Sequence, residues 1–401
     1  MRVGVGYGDD PNSFTAARDA ATEALHNAGR SEGCDFALMF YTARHNAQVL
    51  RDAVVSVIGH VPVVGGGAAG VISDKRFGYA GDQIAIACVW CDDAKCEFLA
   101  EGGLTESEEK TGERLGERLL ALGTSPDSPV MLFYDAIAQT KGNVRILAAT
   151  RLLAGIERTM GFLPDLTGAG MMGDYICSPT PQWCGGETPT AYHALAMAFS
   201  GNIRIDSVIM HGCKPATGYY TVTKTDGQVI LEIEGRAAVQ FINERLESTI
   251  PPEAWPFFLL LGINRGDKWG TFHESNYASR LCLAIDSSRG GIVMFEPDIV
   301  AGMEIQIMYR SFDHSYMKPK IERVFNSLAG REPVFAVYID CAGRAAGYGG
   351  IDLEDAVILQ ETVAGRVPIL GMYTGVEIAR VQGRPCGLDW TGVFCLFSVQ
   401  K

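Results

Sequence analysis

The stretch Val61-Pro-Val-Val-Gly-Gly-Gly-Ala-Ala-Gly70 decides the fold, because it is the most distinctive part of a pattern that the chain repeats. A similar proline-led run that ends in glycine, Leu163-Pro-Asp-Leu-Thr-Gly-Ala-Gly170, follows about a hundred residues later. In both places the run comes after a β-rich segment and a helical segment, and an apolar strand follows it. Internal repetition of this kind predicts an architecture built from similar supersecondary units.

A third and looser copy lies near the end of the chain. Apolar spacings of three and four residues predict the helices of all copies, and short β-rich runs bounded by Gly and Pro predict the strands. The strands are almost continuously apolar, which is typical of sheets covered on both faces. We therefore predict an α/β (mixed α+β) fold, in which repeated strand-helix-strand units form helix-covered mixed sheets in two coupled domains. The segments of the third copy are 334–339, 353–359, 367–372 and 393–399.

The remaining segments complete the predicted domains. A strand at 2–6 precedes an alanine-rich helix, and an acidic helix covers 107–122. The segment 201–246 carries three short strands and a helix, and we expect it to bridge the two halves. Clustered prolines in 248–256 interrupt both helices and ladders and mark the boundary. The predicted domains are 1–250, with internal repeats at about 35–100 and 128–215, and 251–401.

Composition excludes several classes of function. The chain has 401 residues, of which 47% are hydrophobic and 20% charged, so most of it is expected to fold. The formal net charge of -13 repels nucleic acid and anionic membranes. The chain begins without a signal-peptide pattern and has no apolar run of ~18 residues. We expect a cytoplasmic protein without membrane or nucleic-acid partners.

The eleven cysteines are an odd number scattered through apolar runs, which does not resemble a secreted disulfide framework. We expect reduced thiols that behave as small buried hydrophobic groups. Cys88 and Cys91 have the C-x-x-C spacing, but their odd separation along an extended run points the two side chains to opposite faces of a sheet.

The glycine-rich strand ends are the first candidate binding elements. Glycines at 65–67 and at 168 and 170 allow backbone N–H groups to approach a ligand closely. The alternative is that these glycines serve close packing of the backbone.

Polar candidates follow the third copy's first strand. Arg344 can hold a ligand carboxylate in two parallel hydrogen bonds, or it can pair with a structural acid such as Glu377. Cys341 and Cys213 are candidate nucleophiles, although no base is adjacent in the sequence. His193 and His211 are candidate axial haem ligands or structural histidines.

The order of these motifs resembles the FIST family, with its N-terminal and C-terminal domains. The resemblance is carried by Val64-Gly-Gly-Gly-Ala-Ala-Gly-Val71, residues 168–174, His211-Gly-Cys-Lys-Pro215, Asp340-Cys-Ala-Gly-Arg344 and Gly375-Val-Glu-Ile378. It implies a bacterial or archaeal signal-input module that binds small ligands such as amino acids, and in some members haem for sensing nitric oxide.

We therefore expect an intracellular sensor, not an enzyme, that binds a small polar, amino-acid-like ligand between its domains. No output domain follows the FIST pattern, so the signal is expected to pass to a histidine kinase or another signalling protein, or through a homodimer. The alternatives are a haem-based gas sensor that uses His193 or His211, and a cysteine-dependent enzyme that uses Cys341 or Cys213 on a small carboxylate. The predicted ligand-binding residues are Gly65, Gly66, Gly67, Ala68, Gly168, Gly170, Asp174, Cys341, Arg344 and Glu377.

Overall fold

The chain forms three units of the same design and one barrel. The computed structural model describes residues 1–92, 94–140, 143–178, 180–186, 188–247, 250–256, 258–311 and 313–400. Unit 1 comprises β1 (Arg2–Asp9), α1 (Ser13–Asn27), β2 (Phe36–Tyr41), α2 (Ala47–Ile58), β3 (Val63–Gly67), β4 (Gly70–Ile72), β5 (Phe77–Tyr79) and β6 (Gln83–Trp90). Unit 2 comprises β7 (Ala94–Gly102), α3 (Glu108–Ala121), β8 (Pro129–Asp135), β9 (Ile137–Thr140), β10 (Asn143–Ile146), α4 (Ala149–Met160), β11 (Asp165–Met171), β12 (Gln182–Cys184) and β13 (His193–Gly201).

Unit 3 is interrupted by the barrel. It begins with β14 (Arg204–Met210) and resumes with α6 (Met317–Asn326), β23 (Glu332–Cys341), α7 (Ala346–Gly349), α8 (Asp355–Val363), β24 (Ile369–Thr374), β25 (Val376–Val381), β26 (Arg384–Leu388) and β27 (Gly392–Val399). The barrel segment between them comprises β15 (Lys214–Pro215), β16 (Tyr220–Asp226), β17 (Val229–Ile233), β18 (Arg236–Ala237), α5 (Ala238–Arg245), β19 (Leu260–Asn264), β20 (Tyr277–Asp286), β21 (Gly291–Met294) and β22 (Glu304–Tyr309).

Local sequence signals start several of the helices. The side chains of Asn12, Asn46 and Ser107 cap α1, α2 and α3 by accepting a hydrogen bond from the backbone N–H three residues ahead. The alanine-rich face of α1 is buried, which lets this helix lie close to its sheet. None of the helices in the described residues is both long and apolar enough to cross a bilayer.

The three units share one strand order. Each runs first, last, second, third, which gives β1-β6-β2-β3, β7-β13-β8-β11 and β14-β27-β23-β24. In each unit the second and third strands are parallel and the last strand is antiparallel to its neighbours. The repeat therefore has a complete strand-helix-strand-helix-strand-strand design, of which the sequence pattern captured only the later part.

The units exchange strands at the outer edge of each third strand. Strand β12 of unit 2 pairs with β3 of unit 1, hairpin β25–β26 of unit 3 pairs with β11 of unit 2, and hairpin β4–β5 of unit 1 pairs with β24 of unit 3. All three pairings are antiparallel. Each unit thus completes the sheet of another, and the exchange closes into a ring.

The sheets face one another and the helices lie outside. Aromatic side chains from the inner faces meet edge to face, as in the pairs Phe40–Phe133 (5.6 Å between ring centroids) and Phe199–Phe397 (5.6 Å). A separate apolar layer lies between each sheet and its own helices. The predicted helix-covered mixed sheets of an α+β fold are confirmed.

The barrel is closed and entirely antiparallel. Its strands follow one another as β22, β16, β17, β21, β20 and β19, and β19 pairs back with β22. The segment 201–246 therefore does not form one bridge, because β14 belongs to unit 3 while β16, β17 and α5 belong to the barrel. The proline-rich stretch 250–256 lies between α5 and β19 inside this barrel segment. Ser248 and Thr249 lie outside the described residues, and the division at 250 stays a prediction.

The first strand of each unit forms an edge of its sheet, and in every unit one side chain is hydrogen-bonded to the backbone of that edge. In each unit a side chain from the unit's own helix donates a hydrogen bond to a backbone carbonyl of that edge, which leaves fewer groups free for another strand. The three bonds are Asn27 Nδ2 to Val5 O (2.8 Å), Arg118 Nη1 to Ala100 O (2.8 Å) and Lys320 Nζ to Ile209 O (2.9 Å).

One glycine recurs at the same place in every unit. Gly65, Gly168 and Gly371 lie in the third strands, and a Cβ atom on each would come within 2.2, 1.8 and 2.6 Å of a carbonyl oxygen on the neighbouring second strand. No side chain fits there unless the two parallel strands separate.

We expect Gly168→Ala to lower the free energy of unfolding by about 2 to 3 kcal/mol, because the added methyl group forces β11 away from β8. The control is Gly218→Ala, where a Cβ atom meets nothing within 4 Å. Urea unfolding of both variants tests the prediction, and equal stabilities would contradict it.

Candidate functional site

A cavity of about 380 Å³ lies where the carboxyl-terminal ends of β11, β23 and β24 meet the barrel. Ligands of α/β sheets commonly bind beyond such strand ends. The walls come from the β9–β10 hairpin (Ile137, Val144, Ile146), the loop after β11 (Met172, Tyr175, Cys177), the barrel (Leu281, Leu283, Phe295) and unit 3 (341–343, Tyr348, Thr374, Gly375). We call this space the main cavity.

The lining of the main cavity is mostly apolar and aromatic. The rings of Tyr175 and Tyr348 stack with centroids 5.2 Å apart. The Tyr175 hydroxyl already donates to the carbonyl of Ala342 at 3.0 Å, and the Thr374 hydroxyl donates to the carbonyl of Gly170. The cavity therefore presents apolar surface and aromatic faces, and two of its hydroxyl protons are already used within the protein.

A second cavity of about 350 Å³ follows the ends of β2 and β3. Arg44, Asp174 and Tyr175 are among its lining residues, so Tyr175 lies between the two cavities. The Asp174 carboxylate accepts hydrogen bonds from the backbone N–H groups of Ile176 (3.0 Å) and Ser178 (2.9 Å). Asp174 thereby shapes the loop that carries Tyr175.

Arg344 lies buried behind the wall of the main cavity, in contact with two acids. Its Nε donates to Asp340 Oδ1 and Asp355 Oδ2, both at 3.1 Å. Burial raises the pKa of Asp355, but Arg344 and His314 outweigh burial and hold it below the usual range. Burial and the Asp355 charge raise the pKa of Asp340. The ion pair is therefore mainly Arg344 with Asp355, and neither acid is Glu377.

The Arg344 guanidinium also forms hydrogen bonds with both segments that connect unit 3 to the barrel. Arg344 Nη1 donates to the carbonyl of His211 at 3.1 Å, just before the barrel begins. Arg344 Nη2 donates to the hydroxyl of Tyr316 at 3.0 Å, just after the barrel ends. Nε2 of His314, in the second connection, lies 3.1 Å from Asp355 Oδ1. Arg344 thus links the wall of the main cavity to the segments at both ends of the barrel.

Glu377 lies in β25, between β11 and β26 in the sheet of unit 2. It is fully buried, and its Oε2 accepts a hydrogen bond from the backbone N–H of Thr391 at 3.1 Å. Burial and the neighbouring Asp389 raise its pKa well above the ordinary value. Glu377 does not line the main cavity.

The predicted glycines lie inside strands, where other residues fill the space beside them. A Cβ atom on Gly66 would come 2.8 Å from Gln182, and one on Gly67 would come 3.2 Å from Thr180. A Cβ atom on Gly168 would come 1.8 Å from Leu132 O, and one on Gly170 would come 2.7 Å from the Tyr134 hydroxyl. Ala68 follows β3 and is fully buried. Neither these five residues nor Gly65 lines the main or the second cavity.

The two candidate haem ligands differ in how far the protein already uses their ring nitrogens. Nδ1 of His211 accepts from the backbone N–H of Cys213 at 3.0 Å, and Nε2 lies 3.2 Å from the carbonyl of Glu274. Burial lowers the pKa of His211 to about 4, so the ring is neutral and both nitrogens are used. Nδ1 of His193 lies 2.7 Å from the carbonyl of Ala191, and Nε2 faces Gly102. The surroundings of His211 do not fit axial ligation of haem, and ligation by His193 stays a prediction.

The two candidate nucleophiles are protonated thiols. Burial raises the pKa of Cys341 well above its ordinary value and that of Cys213 to about 12. Cys213 also donates its hydrogen to the carbonyl of His211 at 3.4 Å. Because the thiolate is the nucleophilic form, neither environment activates the sulfur. Cys341 does line the main cavity.

Sequence reasoning missed Tyr175, Asp355 and Asp135. Asp135 is fully buried at the end of β8, and an acid at the end of a predicted apolar strand is the signal that could have identified it. The Asp135 carboxylate accepts hydrogen bonds from the Thr180 hydroxyl and from the backbone N–H groups of Tyr192 and His193. Burial outweighs these bonds and raises its pKa to about 7.

Two protein-family models match the chain, one after the other. Residues 35–236 match the FIST N domain and residues 238–380 match the FIST C domain. An uncharacterized protein of Mycobacterium bovis is 25% identical over 408 residues, which is 99% of each chain. An uncharacterized protein of Mycobacterium tuberculosis is 26% identical over 194 residues, or 48% of this chain and 50% of the other.

The solved PurLQS structure from Thermotoga maritima is similar only at a low level. Its alignment covers 99% of this chain and 72% of the other, with 9% identity and a TM-score of 0.19. A score of this size supports no argument about fold or function.

We expect Arg344→Gln to lower the free energy of unfolding by about 3 to 5 kcal/mol at pH 7, because it leaves Asp355 buried and charged. The folded-state pKa of Asp355 is depressed in the wild type, so its contribution is present above the unfolded pKa and is lost as pH falls. The difference in unfolding free energy between the wild type and Arg344→Gln should therefore become smaller below about pH 4. Arg366→Gln, which breaks an exposed pair with Glu322, should cost under about 1 kcal/mol. Urea unfolding across pH measures both, and equal losses would refute the role of Arg344.

We expect Asp135→Asn to remove a pH dependence of stability. The folded pKa of Asp135 is raised, so the folded state holds the proton more tightly, and stability is lost as pH rises from about 4 through about 7. Between pH 5 and 8 the wild type should lose about 2 kcal/mol relative to the variant. Asp226→Asn, at an exposed carboxylate, should follow the wild type. Parallel curves for wild type and Asp135→Asn would contradict the prediction.

Proposed function

Because the chain belongs to the FIST family, whose domains are sensory domains of signal transduction, we propose that it senses a small molecule bound in the main cavity. One observation carries the proposal. The walls from 137 to 177 belong to the FIST N match, and those from 281 to 375 belong to the FIST C match. A molecule in this space contacts both, and about 380 Å³ is within the range of small-molecule sites.

The lining favours a ligand with an apolar body. The stacked rings of Tyr175 and Tyr348 and the side chains of Leu281, Leu283 and Phe295 offer dispersion contacts and burial of apolar surface. An amino-acid-like molecule with a large apolar or aromatic side chain suits this lining better than a small, strongly polar one.

Residues next to the cavity wall join the barrel to the ring of three units. Glu296 follows the wall residue Phe295, and its carboxylate accepts from the backbone N–H groups of Ala149 and Thr150 at the start of α4, both at 2.9 Å. Arg344 follows the wall residue Gly343 and holds both connections of the barrel. A ligand that favours one orientation of the barrel shifts the population toward it, because its affinity differs between the orientations.

The output passes to a separate signalling protein, such as a histidine kinase, or to a second copy of the chain. The net charge of -13 suits a basic surface on that partner. All eleven cysteines are free thiols, which supports sensing in the cytoplasm.

We expect the apolar fluorophore N-phenyl-1-naphthylamine to bind saturably and to be displaced by L-phenylalanine or L-tryptophan but not by L-serine. Leu283→Trp and Val144→Trp, on two walls of the cavity, should each weaken binding at least about tenfold by filling the space. Val49→Trp on α2 makes the same kind of change away from the cavity and should bind normally. Circular dichroism verifies folding, and fluorescence titration measures affinity. Equal affinities in all variants, or no saturable binding, would overturn the proposal.

A further inference from the structure

The second cavity lies at a junction equivalent to that of the main cavity. In both, the loop that follows β11 of unit 2 meets the ends of the second and third strands of a neighbouring unit. That neighbour is unit 1 at the second cavity and unit 3 at the main cavity. The two cavities therefore repeat one arrangement of the ring, with different side chains on their walls.

The strand register shows which wall residues are equivalent. In each unit the residue opposite the recurring third-strand glycine lies three positions before a wall segment, which is 42–44 in unit 1 and 341–343 in unit 3. Arg44 therefore takes the place of Gly343. A cation lines the second cavity at the position where the main cavity has no side chain.

Side chains on both sides of Arg44 hold the loop that carries it. The Thr42 hydroxyl donates to the carbonyl of Gly81 at 2.6 Å, and Nε2 of the buried His45 lies 2.8 Å from the carbonyl of Asp82. The guanidinium itself is less constrained, because its Nη1 lies 3.8 Å from Asp82 Oδ2 and 63% of the side chain is exposed. Since 3.8 Å is beyond hydrogen-bond length, its N–H groups can bind the carboxylate of another molecule.

A carboxylate lines the same cavity. The backbone N–H groups of Ile176 and Ser178 both donate to Oδ1 of Asp174. Within the described residues, the second oxygen, Oδ2, accepts no hydrogen bond. Asp174 can therefore bind an ammonium group through Oδ2 and still hold its own loop through Oδ1.

Small residues form most of the remaining wall, so the cavity suits a short molecule. Opposite charges on such a wall favour a compact zwitterion, whose carboxylate pairs with Arg44 and whose ammonium group pairs with Asp174. The ring of Tyr175, which also lines the cavity, offers dispersion contacts to the methylene groups of that molecule. The small wall residues are Ala43, Ala69, Ala80, Gly81 and Gly173.

We propose that the second cavity is a separate site that binds a small zwitterion between Arg44 of unit 1 and Asp174 of unit 2. The two units already meet there, because the backbone N–H of Ala43 donates to the carbonyl of Gly173 at 3.2 Å. The proposal goes beyond the proposed function, since the main cavity is mostly apolar and takes a different molecule. It does not require that the main cavity be occupied.

The test is isothermal titration calorimetry of the full chain with glycine, L-alanine and L-serine at pH 7. We expect saturable binding of at least one of them, with a dissociation constant of about 1 mM or tighter. For each one that binds, the amide lacks the carboxylate and the deaminated acid lacks the ammonium group. Both analogues should bind at least about tenfold more weakly, because each leaves one charged wall residue without its partner.

Two variants test the two wall residues. Arg44→Gln and Asp174→Asn should each weaken zwitterion binding at least about tenfold, and the asparagine keeps the Oδ1 acceptor on which the loop depends. Arg18→Gln is the matched control, because it removes an exposed arginine on α1 that pairs with Asp19, and it should bind normally. Circular dichroism verifies that the variants fold.

The wild-type titrations do not depend on any variant folding. Absence of saturable binding by all three zwitterions would overturn the proposal, as would equal affinity for the amide or the deaminated acid, or normal binding by Arg44→Gln. A zwitterion that displaces N-phenyl-1-naphthylamine occupies the main cavity and would also contradict it. Because calorimetry needs no ligand in the main cavity, failure of this proposal is distinguishable from failure of the proposed function.

Discussion

The hydrogen-bonding needs of three strand edges determine how this protein is assembled. Strands β3, β11 and β24 each end a four-stranded sheet, and the backbone groups along such an edge must find partners when they are buried. Each unit meets this need with a short segment from another unit. Since the three donations follow one cycle, each unit completes the sheet of one neighbour and has its own sheet completed by the other. The ring is therefore a single cooperative structure, although its parts look like independent repeats.

This ring determines where the cavities lie. The short hairpins and loops that leave one unit for another start at the carboxyl-terminal ends of the third strands, so these ends lie near neighbouring units. The loop after β11 contributes Tyr175 to both cavities, and the turn after β23 brings Cys341 to the main cavity and Arg344 behind its wall. The barrel, which interrupts unit 3 at the same end, closes the main cavity with Leu281 and Phe295.

The sequence predicted the local parts of this architecture and not the contacts between them. Periodicity located β2, α2, β8 and α4, because amphipathic patterns and turn residues are local signals. The exchange could not be predicted, since β4 has only three residues and pairs with a strand about 300 positions away. Contacts between residues that are distant in the sequence also could not be predicted at the candidate site. Arg344 was recognised by its chemistry and its place after a strand, but its true partner Asp355 and the stacked Tyr175 and Tyr348 come together only through tertiary structure.

The hairpin that unit 1 donates has a consequence for biosynthesis. Hairpin β4–β5 ends at Tyr79, and β24, with which it pairs, begins at Ile369. At ribosomal speeds of roughly 5 to 20 residues per second, the donor emerges about 15 to 60 s before its acceptor. During that interval the nascent chain carries β4 without its acceptor strand. The completed fold is therefore reached only after nearly the whole polypeptide has been made, and the growing chain depends during that time on its own solubility or on chaperones.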